Sequence, residues 1–385
     1  MKITFQKHIL EEVVNDSMCS VSDKNTIPVV EGIRFKTEED GKCSITTYDL
    51  EKGFQASVEC DIAEGGNYVI NAQKLNRIIK FMPDQYITIT VNPNCNVVIT
   101  SGLSKFELHA MEGESFPSLP DLTGEVGFTV TGNILKKMIS QVFFAIAVTD
   151  QRPVLCGALF QITNSQLKVV ACDGNRLAVR EKICMVENTD QDGGELNCSF
   201  VVPGKTLSQL LRLISDDETV NIQLSRKHVI FRMDGKLFFS RLIDSDYIDY
   251  QRVIPKTKPI TVKVDRMGLI SSLERASLVT EDKALGQAKS YVRCAFEDSK
   301  LKISSVSVTG SVYDELGIAK EGDNIVIGFN CRYLLDALKA ADSQTVSITL
   351  NSPLMSIVIT PVVAEDAEPS DEDFLYMVCP VKMKE

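Results

Sequence analysis

Apolar and polar positions along this chain follow two periods, and these succeed one another in the same order three times. The segments YVINAQKLNRIIKFM (68–82), FVVPGKTLSQLLRLI (200–214) and IGFNCRYLLDALKAA (327–341) each begin as an apolar strand end. Each then places apolar residues at i, i+3, i+4 and i+7: Leu75, Ile78, Ile79 and Met82; Leu207, Leu210, Leu211 and Ile214; Leu334, Ala337, Leu338 and Ala341. That spacing gathers four side chains on one helix face and predicts that the face is buried. The period then drops to two in YITITV (86–91), TVNIQL (219–224) and TVSITL (345–350), the alternation of a strand covered on one side.

A second helical pattern occurs earlier in each repeat, as HILEEVVNDSM (8–18), NILKKMISQVFFAI (133–146) and MGLISSLERASLV (267–279). It leads into IPVVEGIRF (27–35), RPVLCGALF (152–160) and AKSYVRCAF (288–296). Across a polar turn follow CSITTYD (43–49), LKVVACD (167–173) and LKISSVS (301–307). Two unit ends also correspond, SFPSLP (115–120) with DYIDYQRVIP (246–255). The chain therefore reads as three tandem domains, 1–124, 125–257 and 258–385, each holding a helix–strands module twice. Many short strands with two helices per domain predict an α+β class with largely antiparallel sheets.

Composition changes this picture little. A chain of 385 residues with 44% hydrophobic and 24% charged residues is of the globular kind and long enough for several cores. No apolar run approaches the ~20 residues of a membrane helix, and MKITFQKHIL lacks the apolar centre of an export signal. A cytoplasmic location is the expectation. The eleven cysteines are scattered singly, without C-x-x-C spacing, and are expected to remain free thiols.

Charge changes it more. The net charge of −11 argues against a polyanionic ligand only if it is evenly spread. The six helical stretches together carry +6, which leaves −17 on the strands and loops. Lys80, Arg212 and Lys339 recur at one aligned position, and Lys205, Gln209 and Arg212 share a helix face opposite the apolar one. A common helical surface would attract phosphates without reading sequence.

Catalytic patterns are missing. Gly204-Lys205-Thr206 after a strand suggests a phosphate loop, yet the first glycine of that motif would fall at Ser199 and the intervening loop is too short. The other repeats place Asn71-Ala72-Gln73 and Asn330-Cys331-Arg332 there, so the position reads as a helix start. His8, His109 and His228 are too scattered for a metal cluster, and there is neither a G-x-S-x-G nor a G-x-G-x-x-G. DQDGGE (190–195) reads as a surface turn and AEDAEPSDED (364–373) as a solvated loop before the last strand. No enzyme activity, cofactor or metal is expected.

The three repeats, together with VACDGNRLAV (170–179), DYIDYQRVIPK (246–256), IGFN (327–330) and YMVCPVKM (376–383), resemble the bacterial DNA polymerase III beta subunit family over essentially the whole chain. The resemblance implies three DNA-clamp domains and a head-to-tail homodimeric ring of six domains, its pore lined by helices. It implies a processivity factor that slides on double-stranded DNA by topological, non-specific linkage. The implied partners are the polymerase III catalytic subunit, the clamp loader and other clamp-motif proteins, with no membrane. A repeat-built scaffold that does not encircle DNA is the alternative.

By the same resemblance, Lys24, Lys74, Lys80, Lys137, Arg152, Lys205, Arg212 and Lys339 face DNA. A groove for partner peptides is assigned to Leu155, Cys172, Gly174, Asn175, Arg176, Leu177, Ile248, Arg252, Val253, Asn330, Tyr333 and Ser356. Met377, Val378, Cys379, Pro380, Val381, Lys382 and Met383 complete it. Phe106 and Leu108 are matched with Leu278 and Val279 of a second copy at the dimer contact, and the strand KFELHA (105–110) invites such pairing. Cys172 and Asn175 stand where many family members have Thr and His, Ile248 replaces a frequent proline, and Pro153 and Val154 replace aromatics. Lys384 and Glu385 extend past the usual end, so peptide preference is expected to differ.

Overall fold

The structure is a computed structural model that describes residues 1–22, 27–83, 85–189, 195–280, 291–307, 310–362 and 370–383. The described residues contain six α-helices: α1 (Lys7–Ser17), α2 (Ala72–Phe81), α3 (Gly132–Phe143), α4 (Gly204–Leu213), α5 (Arg266–Thr280) and α6 (Cys331–Ala340). The predicted periodicities explain them. Leu75, Ile79 and Met82 of the first segment are fully covered, as are Leu207, Leu210 and Ile214 of the second and all four positions of the third. Ile78 and Leu211, at the edges of their stripes, are only half-buried. Each fully covered Leu or Ile contributes roughly 1.5–3 kcal/mol of transfer free energy.

Helix starts differ in chemistry but not in role. The side-chain oxygen of Asn71 accepts from Lys74 N at 3.1 Å and that of Asn330 from Arg332 N at 3.1 Å, so both asparagines are N-caps. At the start of α4 stands Gly204, where an added Cβ would lie 2.7 Å from Ile146 Cγ2. Thr206, the third residue of the supposed phosphate motif, is buried, with its hydroxyl 2.6 Å from that of Ser240. Close packing, not phosphate binding, explains this glycine and threonine.

Of the 27 strands among the described residues, 24 fall into six modules of four and the short strands Asp61–Glu64, Glu187–Asn188 and Ala319–Glu321 flank them; every pairing is antiparallel, and all six modules share one order. In each, the first strand of a consecutive three-strand meander also pairs with a fourth strand from elsewhere in the chain. Strands Gly32–Thr37, Lys42–Tyr48 and Lys52–Glu59, with Asn67–Asn71 beside the first, form one module. Gly157–Thr163, Gln166–Cys172 and Arg176–Ile183, with Asn197–Pro203, repeat it. Even the turn is repeated. Asp49 Oδ1 accepts from the amides of Glu51 and Lys52, and Asp173 Oδ1 from those of Asn175 and Arg176. The residue after each aspartate is left-handed, Leu50 at φ 77° and Gly174 at φ 85°.

By contacts the chain divides into two compact units. The first comprises Met1–Ile134, Glu187–Gly194 and Lys205–Leu242, and contains one 14-stranded sheet in which three modules join edge to edge. Its core includes Val30, Val69, Ile230 and Phe239. The second comprises Leu135–Val186, Glu195–Gly204 and Ile243–Glu385, with a nine-stranded and a four-stranded sheet. The sequence interval 125–257 contributes to both units, because strand Lys236–Arg241 pairs with Lys52–Glu59 while strand Arg176–Ile183 pairs with Glu372–Val378.

Two readings need comment. The end of the acidic stretch is not simply a loop, since Glu372 and Asp373 already belong to strand Glu372–Val378. The turn at 190–195 lies outside the described residues except for Glu195. All eleven cysteines are free thiols, and burial pushes that of Cys19 up to about 12.

Candidate functional site

In the first unit the cations of α2 and α4 point to solvent. Lys74, Lys80, Lys205 and Arg212 are exposed, and among the described residues none makes an ion pair. Arg77, which sequence reasoning passed over, is exposed in the same way and stands one helical turn from Lys74 and Lys80. The i, i+3 spacing of three basic residues on a chain of net −11 was the signal that could have found it. Lys24 lies outside the described residues.

The second unit treats its cations differently. Lys339 is 2.7 Å from Glu274, and Arg152 Nε is 3.1 Å from Asp150. Lys137 enters a network with Arg180 and Lys182 on one side and Asp342, Asp371 and Glu372 on the other. Its ammonium is 3.0 Å from Asp342, and Arg180 makes two bonds to that carboxylate at 3.2 and 2.8 Å and a further one to Glu372. The side chain of Arg180 is 1% exposed. Burial opposes the charge on Asp342, but hydrogen bonds from Lys137 and Arg180 outweigh it and hold the pKa at about 2. Lys137 therefore faces carboxylates of its own chain.

The residues assigned to the groove all lie in the second unit, as an apolar cluster, an exposed rim and an ion-paired clasp. Leu155, Cys172, Leu177 and Met377 are buried in one apolar cluster, with Ile248 half-buried against it. Tyr250 and Val358, which the sequence did not single out, belong to the same cluster. The rim is open. Val253 is 50% exposed, Arg252 is exposed and 2.7 Å from Asp249, and Gly174 and Asn175 form the exposed hairpin turn.

Arg176 is a clasp, not a free cation. It bonds Asp173 at 3.0 Å and Asp336 at 2.7 Å, and its guanidinium lies 4.2 Å from the Tyr333 ring centre. Asn330 is occupied as the α6 cap. The C-terminal segment is held by Cys379 N to Asn175 O at 2.9 Å and Val381 N to Gly328 O at 2.7 Å, with Ser356 Oγ 3.2 Å from Cys379 Sγ. Val378 is buried, Pro380 half-buried, and Val381 and Lys382 exposed. Val381, Lys382 and Met383, with Tyr291, Arg293 and Leu354, line an adjoining cavity of about 470 Å³. The residues assigned to the groove thus combine a buried apolar cluster with few fixed polar groups at its rim.

Among the described residues each unit also presents a free sheet edge. Ser104–His109 pairs, among the described residues, only with Asn96–Ser101, since the neighbouring strand Asn67–Asn71 reaches only Ala110–Glu112. Phe106, 41% exposed, and half-buried Leu108 lie on this open stretch. Leu278, 79% exposed, and half-buried Val279 stand near the end of α5, beside which edge strand Ser311–Gly317 packs. No described helix is long and apolar enough to cross a membrane.

A strand-rich chain of like four-strand modules, with exposed cations on α2 and α4, an apolar cluster beside an exposed rim and, among the described residues, open strand edges, has features that suit a DNA clamp. Three family models match in sequence: DNA polymerase III beta subunit, N-terminal domain (1–120), central domain (129–249) and C-terminal domain (251–374). The chain belongs to the DNA polymerase III beta subunit family. It is 28% identical to the beta sliding clamp of Bacillus subtilis, an alignment covering 99% of this chain and all of that one. The crystal structure of the Bacillus subtilis DNA polymerase sliding clamp superposes with a TM-score of 0.88 at 27% identity, over 100% of both chains. A Pseudomonas aeruginosa sliding clamp, solved bound to griselimycin, gives 0.87 at 26%, again over 100% of both.

Proposed function

We propose that this protein is a DNA polymerase processivity factor whose three clamp domains, 1–124, 125–257 and 258–385, close head to tail with those of a second copy around duplex DNA. It acts in the cytoplasm as a tether and not as an enzyme. The observation that carries the reading is the set of exposed helix cations on a strongly acidic chain, of which Lys80 and Arg212 share one aligned position and make no ion pair among the described residues. Such cations hold phosphates loosely, because each contact is exposed and screened by salt. A ring needs no more than that, since topology prevents escape while weak contacts permit sliding. Lys74, Lys80, Lys205 and Arg212 are the principal contacts in this reading, and Lys24, Arg152 and Lys339 are further ones.

Closure pairs the open stretch Ser104–His109 of one copy with edge strand Ser311–Gly317 of the other, bringing Phe106 and Leu108 against Leu278 and Val279. Backbone pairing satisfies the free strand edges and the apolar contacts exclude water. The slot over Leu155, Cys172, Leu177 and Met377 receives the apolar anchors of linear peptides from the polymerase, the clamp loader and other clamp-motif proteins, and Asn175, Arg252 and Ser356 orient them.

The test is topological. Protein loaded onto a nicked circle should remain bound through gel filtration and be lost when the circle is cut once. Equal retention on both forms would overturn the reading.

A further inference from the structure

The first unit carries a feature that encirclement of a duplex does not require. Helix α2 ends in Phe81, whose side chain is 85% exposed, and the next strand begins with Tyr86, 58% exposed. Full exposure of a phenylalanine forfeits the roughly 1.5–3 kcal/mol its burial would contribute. Phe81 is also the far end of a cationic stripe. Lys74, Arg77 and Phe81 follow one another at i, i+3 and i+7, with Lys80 alongside, so they share one face of α2.

Met82 and Gln85, beyond Phe81, are both tied to Lys7. Lys7 donates from its backbone amide to Gln85 O at 2.7 Å and from its ammonium to Met82 O at 2.7 Å. Tyr86 opposes Gln6 in the sheet. Beside it opens a cavity of about 550 Å³ lined by Lys7, His8, Glu11, Gln85 and Tyr86 among others. Two aromatic rings are thus presented at the end of a row of cations that make no ion pair among the described residues.

We propose that this end of α2 is a contact site for single-stranded DNA, in which phosphates follow Lys74, Arg77 and Lys80 and an unpaired base stacks on Phe81, with Tyr86 as a second platform. A cationic track combined with exposed rings is the chemistry by which unpaired nucleic acid is held without sequence preference, since every base offers a π face. Duplex DNA hides those faces and can use only the cations. The inference rests on nucleic acid being the ligand of the α2 cations, as in the proposed function, but it does not require a closed ring.

Fluorescence anisotropy of labelled oligothymidylate and of a blunt duplex of equal length, titrated with the full chain at one salt concentration, separates the terms. Phe81→Ala should weaken single-strand binding by about five- to tenfold, the lower part of the range for loss of one stacked base. Duplex binding should be unchanged. Lys80→Ala should weaken both. Equal effects of Phe81→Ala on both ligands, no effect on either, or no single-strand binding by the parent protein would overturn the proposal. Failure of the ring reading would appear only in retention on circles, which this measurement does not use.

Discussion

Replacing Arg180 by methionine removes the buried centre of the ionic network and keeps most of the side-chain volume. Withdrawing one partner from a fully buried pair costs about 3–5 kcal/mol. Here Asp342 is 37% exposed and Lys137 and Lys182 stay within reach of the acids, so screening reduces the expected loss to about 2 kcal/mol. The effect should depend on pH in a definite direction. Asp342 titrates at about 2 in the fold, below an unfolded value near 3.9, so its ionised form stabilises the native state. That contribution is complete above the unfolded pKa and lost as pH falls through the folded one. The variant weakens it, so its deficit should be full at neutral pH and shrink between about pH 4 and about pH 2. Hydrogen exchange followed in strands Arg176–Ile183 and Glu372–Val378 reports opening of this unit. A neutral-pH deficit within about 0.5 kcal/mol, the range of an ordinary surface change, would refute the account. So would a deficit that stayed constant on acidification.

The dimer contact is checked by sedimentation, where Phe106→Ala with Leu108→Ala should give monomers and an unchanged dimer would count against the edge assignment. Lys205→Ala with Arg212→Ala should weaken duplex binding and flatten its salt dependence by about 0.9 in the log–log slope per phosphate contact removed. Leu50→Gly relieves a left-handed leucine, a conformation costing roughly 1–2 kcal/mol, and after the entropy of the added glycine should raise thermal stability slightly.

What the sequence made legible were features set by near neighbours. The stripe Leu334, Ala337, Leu338, Ala341 is entirely buried because helical period alone decides it. Strands Tyr86–Val91, Thr219–Leu224 and Thr345–Leu350 match their predicted ranges because alternation against a covered face is local. Partnership between distant residues was not legible. Nothing near Lys236–Arg241 announces that it pairs with Lys52–Glu59, and nothing in Arg180 marks it as a buried cation awaiting Asp342, 162 residues away. The repeat counts three, while contacts group six modules into two units, because sheet edges join wherever strands fit and not where repeats end.

That distinction between local and distant information bears most directly on Lys137. Its place on a basic helix recommends it as a phosphate contact, and so does its resemblance-based assignment. Its environment argues otherwise. Lys339 and Glu274 are both about half exposed, so their pair is worth at most about 1 kcal/mol and a phosphate can displace the glutamate. Lys137 is held by two carboxylates that Arg180 also binds, and although burial opposes its charge, its bonds to Glu372 and Asp342 raise its pKa. Moving it to a phosphate would leave Asp342 and Glu372 with one cation fewer in a partly buried site, a cost that one screened phosphate contact does not offset. Lys137→Met should therefore lower hydrogen-exchange protection of strand Glu372–Val378 and leave duplex affinity and its salt slope unchanged. Lys80→Met should do the reverse. A Lys137 variant with intact protection and a reduced salt slope would place its ammonium on DNA and sink this argument.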